Sequence, residues 1–440
     1  MMYWEELVLN KFDKFIFKDY VFDPVTNTVE LKYSLDNEID FTEVISWNIE
    51  AVSYNPEILE RALYALWIMA GVSYYKTYLP KEIVIERGGL TESQKIFFSK
   101  TYQFGLAQFF YTNQLDWEGV INFKSDSLES KNELSTGNSG SLSALGGGKD
   151  SIVAAELMNL MGIEFDCWAV NQAERFVEIS ESIGAKTLSV TRRIDGKLAK
   201  LNGIDAYNGH VPITAINSFI GIVLAILTGK KSIVWAIESS TDEPNTSWKG
   251  LAVNHQYSKS SEFEVDIIEY INTNIACDLE YYSILRPISE LRIAEIFCKK
   301  FFEKYKSKFS SCNANFSIGN NSSLKWCGKC PKCAFIFIIF SPFLEKNKLL
   351  ELFNGKDIYS DPDMKGVIEE LLGVDGHKPL ECVGEIAEVR QAVQMAKDSG
   401  HYPEAEQFEF DAPNYNYLKY SKNSIPSNLE EKLKDILDSI

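Results

Sequence analysis

Three consecutive glycines stand in the middle of the stretch SALGGGKDSIVAAELM, at residues 143–158. A short apolar run precedes them and an amphipathic run follows, which predicts a strand, a tight loop and a helix that begins near Asp150. Glycines at such a junction leave backbone N–H groups open to an anion, and the positive end of the helix dipole favours a phosphate at the same place. The loop is therefore predicted to bind the phosphates of a nucleotide.

The side chains that follow the glycines fit this prediction. Lys149 adds a mobile cation, Asp150 can ligate Mg²⁺ directly or through water, and Ser151 can donate a hydrogen bond or cap the helix. The spacing matches neither GxGxxG nor GxxxxGKS. A glycine-rich turn capped by aspartate is the alternative. The predicted nucleotide-binding residues are Gly146, Gly147, Gly148, Lys149, Asp150 and Ser151.

The loop resembles the SGGxDS loop of the PP-loop ATP pyrophosphatases. Gly147, Gly148, Asp150 and Ser151 match this pattern, whereas Gly146 stands where the family usually has serine. The difference removes one hydroxyl contact to phosphate but keeps the backbone N–H. The resemblance implies that ATP is cleaved to AMP and pyrophosphate while a substrate is adenylated.

The remainder of the chain around this loop alternates predicted strands and helices. The strand candidates LSAL, FDCWAV, KTLSVT and SIVWAI are separated by helix-like segments. This alternation predicts an α/β fold with a parallel sheet covered by helices on both faces. Ligands bind at the carboxyl ends of the strands in such sheets, where the glycine loop falls.

The length of 440 residues fits two or three domains. Residues 1–130 are predicted to form a smaller N-terminal α/β domain, and the Ser- and Gly-rich stretch 125–141 is the best linker candidate. Residues 131–345 are predicted to form the ATP-binding catalytic domain, which includes a zinc site, and 346–440 a helical C-terminal region.

The formal net charge of −18 opposes binding to nucleic acid, because the averaged field repels phosphate backbones. The N-terminal residues lack the features of a signal peptide, so a cytoplasmic protein is expected. The uncharged stretch 211–229 is long enough to cross a bilayer, but its polar first half and the strand that follows favour a buried helix. No membrane partner is expected, and the sequence does not indicate an oligomeric state.

Four of the eight cysteines lie close together in the sequence, as Cys312 and the CxxCxxC set Cys327, Cys330 and Cys333. Two overlapping CxxC turns bring three thiolates to one tetrahedral ion, and the fourth comes from the upstream segment. Four sulfur ligands leave no position for water, so the predicted zinc site is structural. A redox CxxC pair and an iron-sulfur cluster are the alternatives. The arrangement is similar to that of the 7-cyano-7-deazaguanine synthases.

Two polar segments, at 207–214 and 238–264, contain His210, His255 and Lys259. Loops of this composition that follow the strands of a nucleotide-binding sheet are suited to orient a polar substrate. Taken singly, each of these residues is more often structural than catalytic. Together they are the candidate groups for proton transfer or carboxylate binding.

Seven ordered segments resemble the bacterial UDP-N-acetyl-α-D-muramoyl-L-alanyl-L-glutamate epimerases, over a region from about Phe104 to about His401. The segments are GGGKDSIV, NGHVPITAINS, VNHQYSKSSEFE, LRPISELRIAEIF, SCNANF, WCGKCPKCAFIF and KPLECVGEIAEVRQA. The resemblance implies inversion of the terminal L-glutamate of UDP-MurNAc-L-Ala-L-Glu to D-glutamate for peptidoglycan synthesis, with ATP and Mg²⁺ consumed. Adenylation of the carboxylate would make the α-proton removable, and we expect His210, His255 and Lys259 to supply proton transfer or carboxylate binding, since histidine suits proton transfer near neutral pH.

Two other functions remain open from the sequence. A relative of the deazaguanine synthases would adenylate a different carboxylate, and a zinc-containing regulatory module would bind ATP without cleaving it. A tRNA-thiolating enzyme is disfavoured, because the chain is acidic and lacks a basic RNA-binding stretch.

Overall fold

Runs rich in β-branched and aromatic residues form a nine-stranded sheet and a small hairpin in the computed structural model, which describes residues 11–128, 131–316, 324–374, 378–411 and 414–440. The strands are β1 (Lys14–Asp23), β2 (Thr28–Leu35), β3 (Ile39–Asn48), β4 (Glu82–Ile85), β5 (Ser141–Ala144), β6 (Phe165–Val170), β7 (Thr187–Arg193), β8 (Ser232–Trp235), β9 (Thr246–Trp248), β10 (Leu251–Val253) and β11 (Glu280–Ser283). Strands β9 and β10 form the hairpin.

The order across the large sheet is β11, β8, β5, β6, β7, β3, β2, β1 and β4. The pairs from β11 to β7 are parallel, the pairs that join β7, β3, β2 and β1 are antiparallel, and β4 is parallel to β1. The four strands predicted after residue 140 correspond to β5, β6, β7 and β8. The prediction of an α/β fold with a mostly parallel sheet between helices is confirmed.

The N-terminal strands do not form a sheet of their own. Strand β3 pairs with β7, from Val44 opposite Arg193 to Asn48 opposite Ser189. The backbone groups at this edge of β7 are therefore hydrogen-bonded to β3, and the sheet is continuous. The buried Glu43 carboxylate also accepts a hydrogen bond from Arg192 Nε over 2.7 Å across this junction. The boundaries at 1–130, 131–345 and 346–440 remain a prediction.

Both faces of the sheet are covered, because neighbouring residues of one strand enter different cores. In β8, Ile233 packs into the core that contains the N-terminal helices, whereas Val234 packs into the core that contains the C-terminal helices. Trp168 and Cys167 of β6 divide in the same way. This alternation follows from the two-residue period of a strand.

Sixteen α-helices surround the sheet in the described residues. They are α1 (Pro56–Ala70), α2 (Val72–Tyr75), α3 (Glu92–Gly105), α4 (Ala107–Thr112), α5 (Lys149–Leu160), α6 (Val177–Ile183), α7 (Gly196–Asn202), α8 (Ile213–Thr228), α9 (Ser261–Asn274), α10 (Glu290–Ile296), α11 (Phe302–Tyr305), α12 (Pro331–Phe340), α13 (Lys346–Leu352), α14 (Lys365–Leu371), α15 (Ile386–Ser399) and α16 (Ser427–Ser439). Short 3-10 helices at Ser239–Asp242 and Tyr257–Lys259 lie in the segments that form the site described below.

The apolar stretch 211–229 contains α8, as predicted for a buried helix. Thirteen of its sixteen residues are buried, and it packs against α1 on one face of the sheet. Across the described ranges, no helix combines the length and the apolar character that a membrane span requires.

Candidate active site

A cavity of about 420 Å³ opens where β5, β6 and β8 end, at the edge of the sheet that the sequence predicts for ligand binding. The glycine loop forms one wall and the segments around Lys259, Lys332 and Cys382 form the other. The lining residues are Ala144, Leu145, Gly146, Gly148, Asp150, Ser151, Trp168, Ala169, Val170, Thr214, Asn217, Trp235, Ala236, Ile237, Lys259, Ser311, Asn313, Lys332 and Cys382.

The conformation of the glycine loop explains one of its three glycines. Gly147 has φ +76°, and a Cβ at this position would lie 2.4 Å from Phe176 Cε1, so a larger residue is excluded. Gly148 is the N-cap of α5, and no side chain caps this helix. A Cβ at Gly146 would meet nothing within 4 Å. The first turn of α5 therefore faces the cavity beside bare backbone, which suits phosphate oxygens.

The side chains of Lys149 and Ser151, which follow the glycines, both have partners within the protein. Lys149 is buried rather than mobile, and its ammonium pairs with Asp150 and, over 2.8 Å, with Glu290 Oε1. Ser151 Oγ donates to Gly148 O over 3.0 Å, within the turn. Burial alone would lower the pKa of Lys149, but the carboxylates of Asp150 and Glu290 raise it, so the ammonium stays charged.

Three carboxyl groups gather beneath the loop. Asp150 lines the cavity, while Glu238 and Glu290 are buried behind it. Burial, and then the charge of Asp150, raise the pKa of both glutamates. Glu290 Oε2 is buried and has no hydrogen-bond partner within the described part of the chain. Carboxylate oxygens are ligands that Mg²⁺ prefers, so this group fits the cation that Asp150 was predicted to bind.

Lys259 is held on the opposite wall by its own backbone. The Lys259 carbonyl accepts hydrogen bonds from Arg286 Nη2 over 2.7 Å and from Thr241 Oγ1 over 2.9 Å. Arg286 is itself buried and paired with Glu264 over 3.0 Å. Burial would lower the pKa of Lys259, but Cys382 and then Glu238 raise it.

The two predicted histidines lie together near Lys259. The ring centroids of His210 and His255 are 4.6 Å apart. Burial, and then the charges of His255 and Lys259, lower the pKa of His210 to about 3, so its ring is neutral at neutral pH. His255 Nδ1 lies 2.5 Å from Gln108 Oε1, and Gln108 belongs to α4 in the N-terminal part of the chain. No site residue is predicted from the sequence in that part of the chain, so this contact was missed.

Cys382 is a second residue that sequence analysis missed. Lys259 Nζ lies 3.3 Å from Cys382 Sγ, and His255 also hydrogen-bonds this sulfur. Burial would raise the pKa of Cys382, but Lys259, the bond from His255 and the charge of Lys332 bring it well below its ordinary value. The segment KPLECVGE that contains it was one of the seven that carried the family resemblance, yet a single cysteine has no spacing pattern that predicts a role.

The four clustered cysteines converge as predicted. Their ligand atoms lie within 4.8 Å of one another, and neighbouring sulfurs are 3.8 Å (Cys312 to Cys330), 3.7 Å (Cys327 to Cys333) and 3.6 Å (Cys330 to Cys333) apart. Sulfurs at about 2.3 Å from a tetrahedral Zn²⁺ would be about 3.8 Å apart, so the set fits the ion. All eight cysteines are free of disulfides. A metal can therefore be held here.

The cysteine cluster also builds part of the cavity wall. Ser310 N donates to Gly147 O over 3.0 Å, and Ser311 and Asn313, on either side of Cys312, line the cavity. Asn313 Nδ2 donates to Glu381 Oε1 over 2.9 Å, next to Cys382. The cluster thus connects the glycine loop to the opposite wall.

Comparison with known proteins gives one consistent result. The family model described as MurL N-terminal domain matches residues 7–284, and that described as MurL C-terminal domain matches residues 308–413. A Micromonospora sp. protein is 36% identical over 405 residues, which are 90% of this chain and 90% of the relative. A Salinispora tropica protein is 36% identical over 405 residues (90% and 88%), and a Xanthomonas oryzae pv. oryzae protein is 33% identical over 408 residues (90% and 89%). All three are named UDP-N-acetyl-alpha-D-muramoyl-L-alanyl-L-glutamate epimerase.

Proposed function

Because the chain belongs to the family of UDP-N-acetyl-alpha-D-muramoyl-L-alanyl-L-glutamate epimerases, we propose that it inverts the terminal L-glutamate of UDP-MurNAc-L-Ala-L-Glu to D-glutamate in an ATP-dependent reaction. The reaction takes place in the cavity beside the glycine loop, and its product enters peptidoglycan synthesis in the cytoplasm. One observation carries the proposal: the two matched regions, 7–284 and 308–413, together contain every residue that lines this cavity.

The chemistry explains why an energy source is needed. A proton on Cα beside a free carboxylate resists removal, because the carbanion would place a second negative charge next to the first. ATP would supply the adenylyl group that turns this carboxylate into a mixed anhydride, with pyrophosphate as the leaving group. The Cα proton of the anhydride is more acidic, and water finally cleaves the anhydride to the free carboxylate and AMP. The residues of the chain then have three tasks: to bind the nucleotide, to orient the glutamyl group, and to move a proton.

We assign nucleotide binding to the glycine loop, in a PP-loop type of site. The backbone of Gly146, Gly147 and Gly148 and the uncapped start of α5 are available to phosphate oxygens. Asp150 would hold Mg²⁺, with Glu290 Oε2 as a further oxygen beneath it. Lys149 keeps Asp150 and Glu290 together rather than reaching the phosphates itself.

Lys259 is assigned to the carboxylate of the substrate. Its ammonium faces the cavity and stays charged, and the bonds to its carbonyl hold the segment in place. His210 and His255 are assigned to proton transfer near Cα. The contact between their rings, and the contact of His255 with Gln108, fix their positions.

We assign a structural role to zinc at Cys312, Cys327, Cys330 and Cys333. The four sulfurs fill a tetrahedral set, so no position for a reacting water is left. A bound ion would contribute indirectly, because its cysteine ligands are neighbours of Ser311, Asn313 and Lys332, which line the cavity.

One assay tests the proposal. The protein is incubated with ATP, Mg²⁺ and UDP-MurNAc-L-Ala-L-Glu in deuterated water, and AMP, D-glutamate and label at Cα are measured together. We expect all three, and none of the D-epimer without ATP. AMP without deuterium at Cα would indicate another adenylating enzyme, and ATP binding without AMP would indicate a regulatory module; either result contradicts the proposal.

A further inference from the structure

Lys259, which lines the cavity, and His210, which lies near it, are both poor proton acceptors at neutral pH. The ammonium of Lys259 is already protonated, because its neighbours raise its pKa. His210 is neutral, and its pKa of about 3 makes it a weak base. Its protonated form is not populated at neutral pH. Inversion exchanges a proton on both faces of Cα, so the two histidines assigned to proton transfer need a further acceptor close to Lys259.

Cys382 meets this requirement by its position. Its sulfur lies 3.3 Å from Lys259 Nζ and is hydrogen-bonded by His255, while Lys332 adds a further positive charge. Cys382 lines the same cavity as Gly146, Gly148 and Asp150. A thiolate with cationic neighbours at a cavity wall is a reactive form of cysteine, in contrast to the buried and inert thiol of Cys167.

We propose that Cys382 is a catalytic residue of the epimerisation, whose thiolate exchanges the α-proton of the glutamyl group on one face of Cα. The inference rests on the function proposed above. In the forward step the Cα–H bond breaks, the proton forms an S–H bond with Cys382, and the electron pair stays on the substrate as an enolate. A proton from solvent adds to the opposite face of Cα and gives the other epimer, the proton on Cys382 is released to solvent, and no oxidant or reductant takes part.

The surroundings of Cys382 suit this exchange. Lys259 stabilises the thiolate before the proton arrives and the enolate after it has been removed, because one ammonium faces both. His255 keeps the sulfur in place by a hydrogen bond, and its Nδ1 contacts Gln108. The neighbouring Glu381 accepts a hydrogen bond from Asn313 and so joins the segment of Cys382 to the cysteine cluster.

The test uses the full-length protein as Cys382→Ser and Cys382→Ala, with Cys277→Ala as the matched control, because Cys277 is exposed and remote from the cavity. We expect epimerisation to fall by at least about 100-fold in both Cys382 variants. AMP formation should persist. Because exchange is lost on one face of Cα, deuterium should be found at Cα of no more than one of the two epimers of UDP-MurNAc-L-Ala-Glu. Epimerisation within about threefold of the unmodified protein would overturn the proposal, as would a parallel loss of AMP formation.

A second measurement does not depend on activity. Iodoacetamide is added to the zinc-loaded protein between pH 5.5 and 8.5, and the peptides of Cys382 and Cys277 are quantified by mass spectrometry. Alkylation of Cys382 should be nearly independent of pH, and Lys259→Met should make it rise with pH as at Cys277. Equal pH dependence at the two cysteines in the unmodified protein overturns the proposal, and so does an acyl adduct trapped on Cys382 during turnover. Absence of AMP with the unmodified protein would instead contradict the proposed function.

Discussion

Arg286 Nη2 donates a hydrogen bond to the carbonyl of Lys259 over 2.7 Å, while the same guanidinium pairs with Glu264 inside the protein. Lys259 thereby has a fixed backbone on the wall opposite the glycine loop. The wall depends on a buried ion pair, whose disruption leaves an uncompensated charge.

Arg286→Met should therefore lower the free energy of unfolding by about 3–5 kcal/mol, because the buried Glu264 loses its partner. The measurement is urea unfolding followed by circular dichroism. The double variant Arg286→Met with Glu264→Leu serves as the control, since it removes both charges and should recover part of the loss. A single variant as stable as the unmodified protein would contradict this account of the pair.

Gly147→Ala should impair both folding and nucleotide binding. The residue has φ +76° and its Cβ would lie 2.4 Å from Phe176, so the loop must shift, and the backbone strain alone costs about 1–3 kcal/mol. Gly146→Ser is the matched control, because a Cβ at Gly146 meets nothing within 4 Å. Compared with Gly146→Ser, Gly147→Ala should bind ATP more weakly in a titration and should have a lower midpoint of thermal unfolding. Equal behaviour would mean that the loop conformation is different from the one described.

Asp150→Asn should abolish AMP formation, because it removes the carboxylate that faces the cavity and is assigned to Mg²⁺. Lys149 and Glu290 keep their contact of 2.8 Å, so the variant should remain folded. Asp116→Asn changes an exposed carboxylate and is the control. Full AMP formation in Asp150→Asn would remove the assignment of ATP to this loop.

His210 should make the protein less stable as the pH falls below about 6.5. Its pKa is about 3 in the folded protein because of burial and the nearby His255 and Lys259, so the unfolded chain binds the proton more tightly. Stability contributed by this group is complete above pH 6.5 and is lost towards pH 3, by at most about 1.4 kcal/mol per pH unit. Urea unfolding at pH 7.5 and 5.5 should show a smaller pH effect in His210→Gln. If the free energy of unfolding changes between pH 7.5 and 5.5 by the same amount in His210→Gln, this histidine is not the cause.

Zinc analysis should give one ion per chain, bound by the four clustered cysteines. Cys330→Ser should lose the ion and lower the midpoint of thermal unfolding, because binding of a structural metal contributes to folding. ATP affinity should fall as well, since Ser311, Asn313 and Lys332 lose their support at the cavity wall. Cys277→Ser, at an exposed position, should retain zinc and stability. A metal-free protein of full stability would contradict the structural role.

Local patterns in the sequence determined much of this protein. The glycine loop, helix α5, the strands β5 to β8 and the convergence of four cysteines follow from turns, periodicity and spacing within short segments. These features depend on residues that are close in the chain, and a single sequence contains that information. The family resemblance from the same segments is confirmed by the two matched family models.

Only the tertiary structure decided which distant segments meet. It placed β3 beside β7, Glu290 under Lys149, Arg286 behind Lys259, and Cys382 within 3.3 Å of Lys259. These pairs are joined by the topology of the sheet and by the closure of long loops, and no period or spacing in the sequence reports them. Burial left His210 neutral, and the meeting of distant segments made Lys149 a fixed partner of two carboxylates and placed Cys382 beside Lys259 and Lys332.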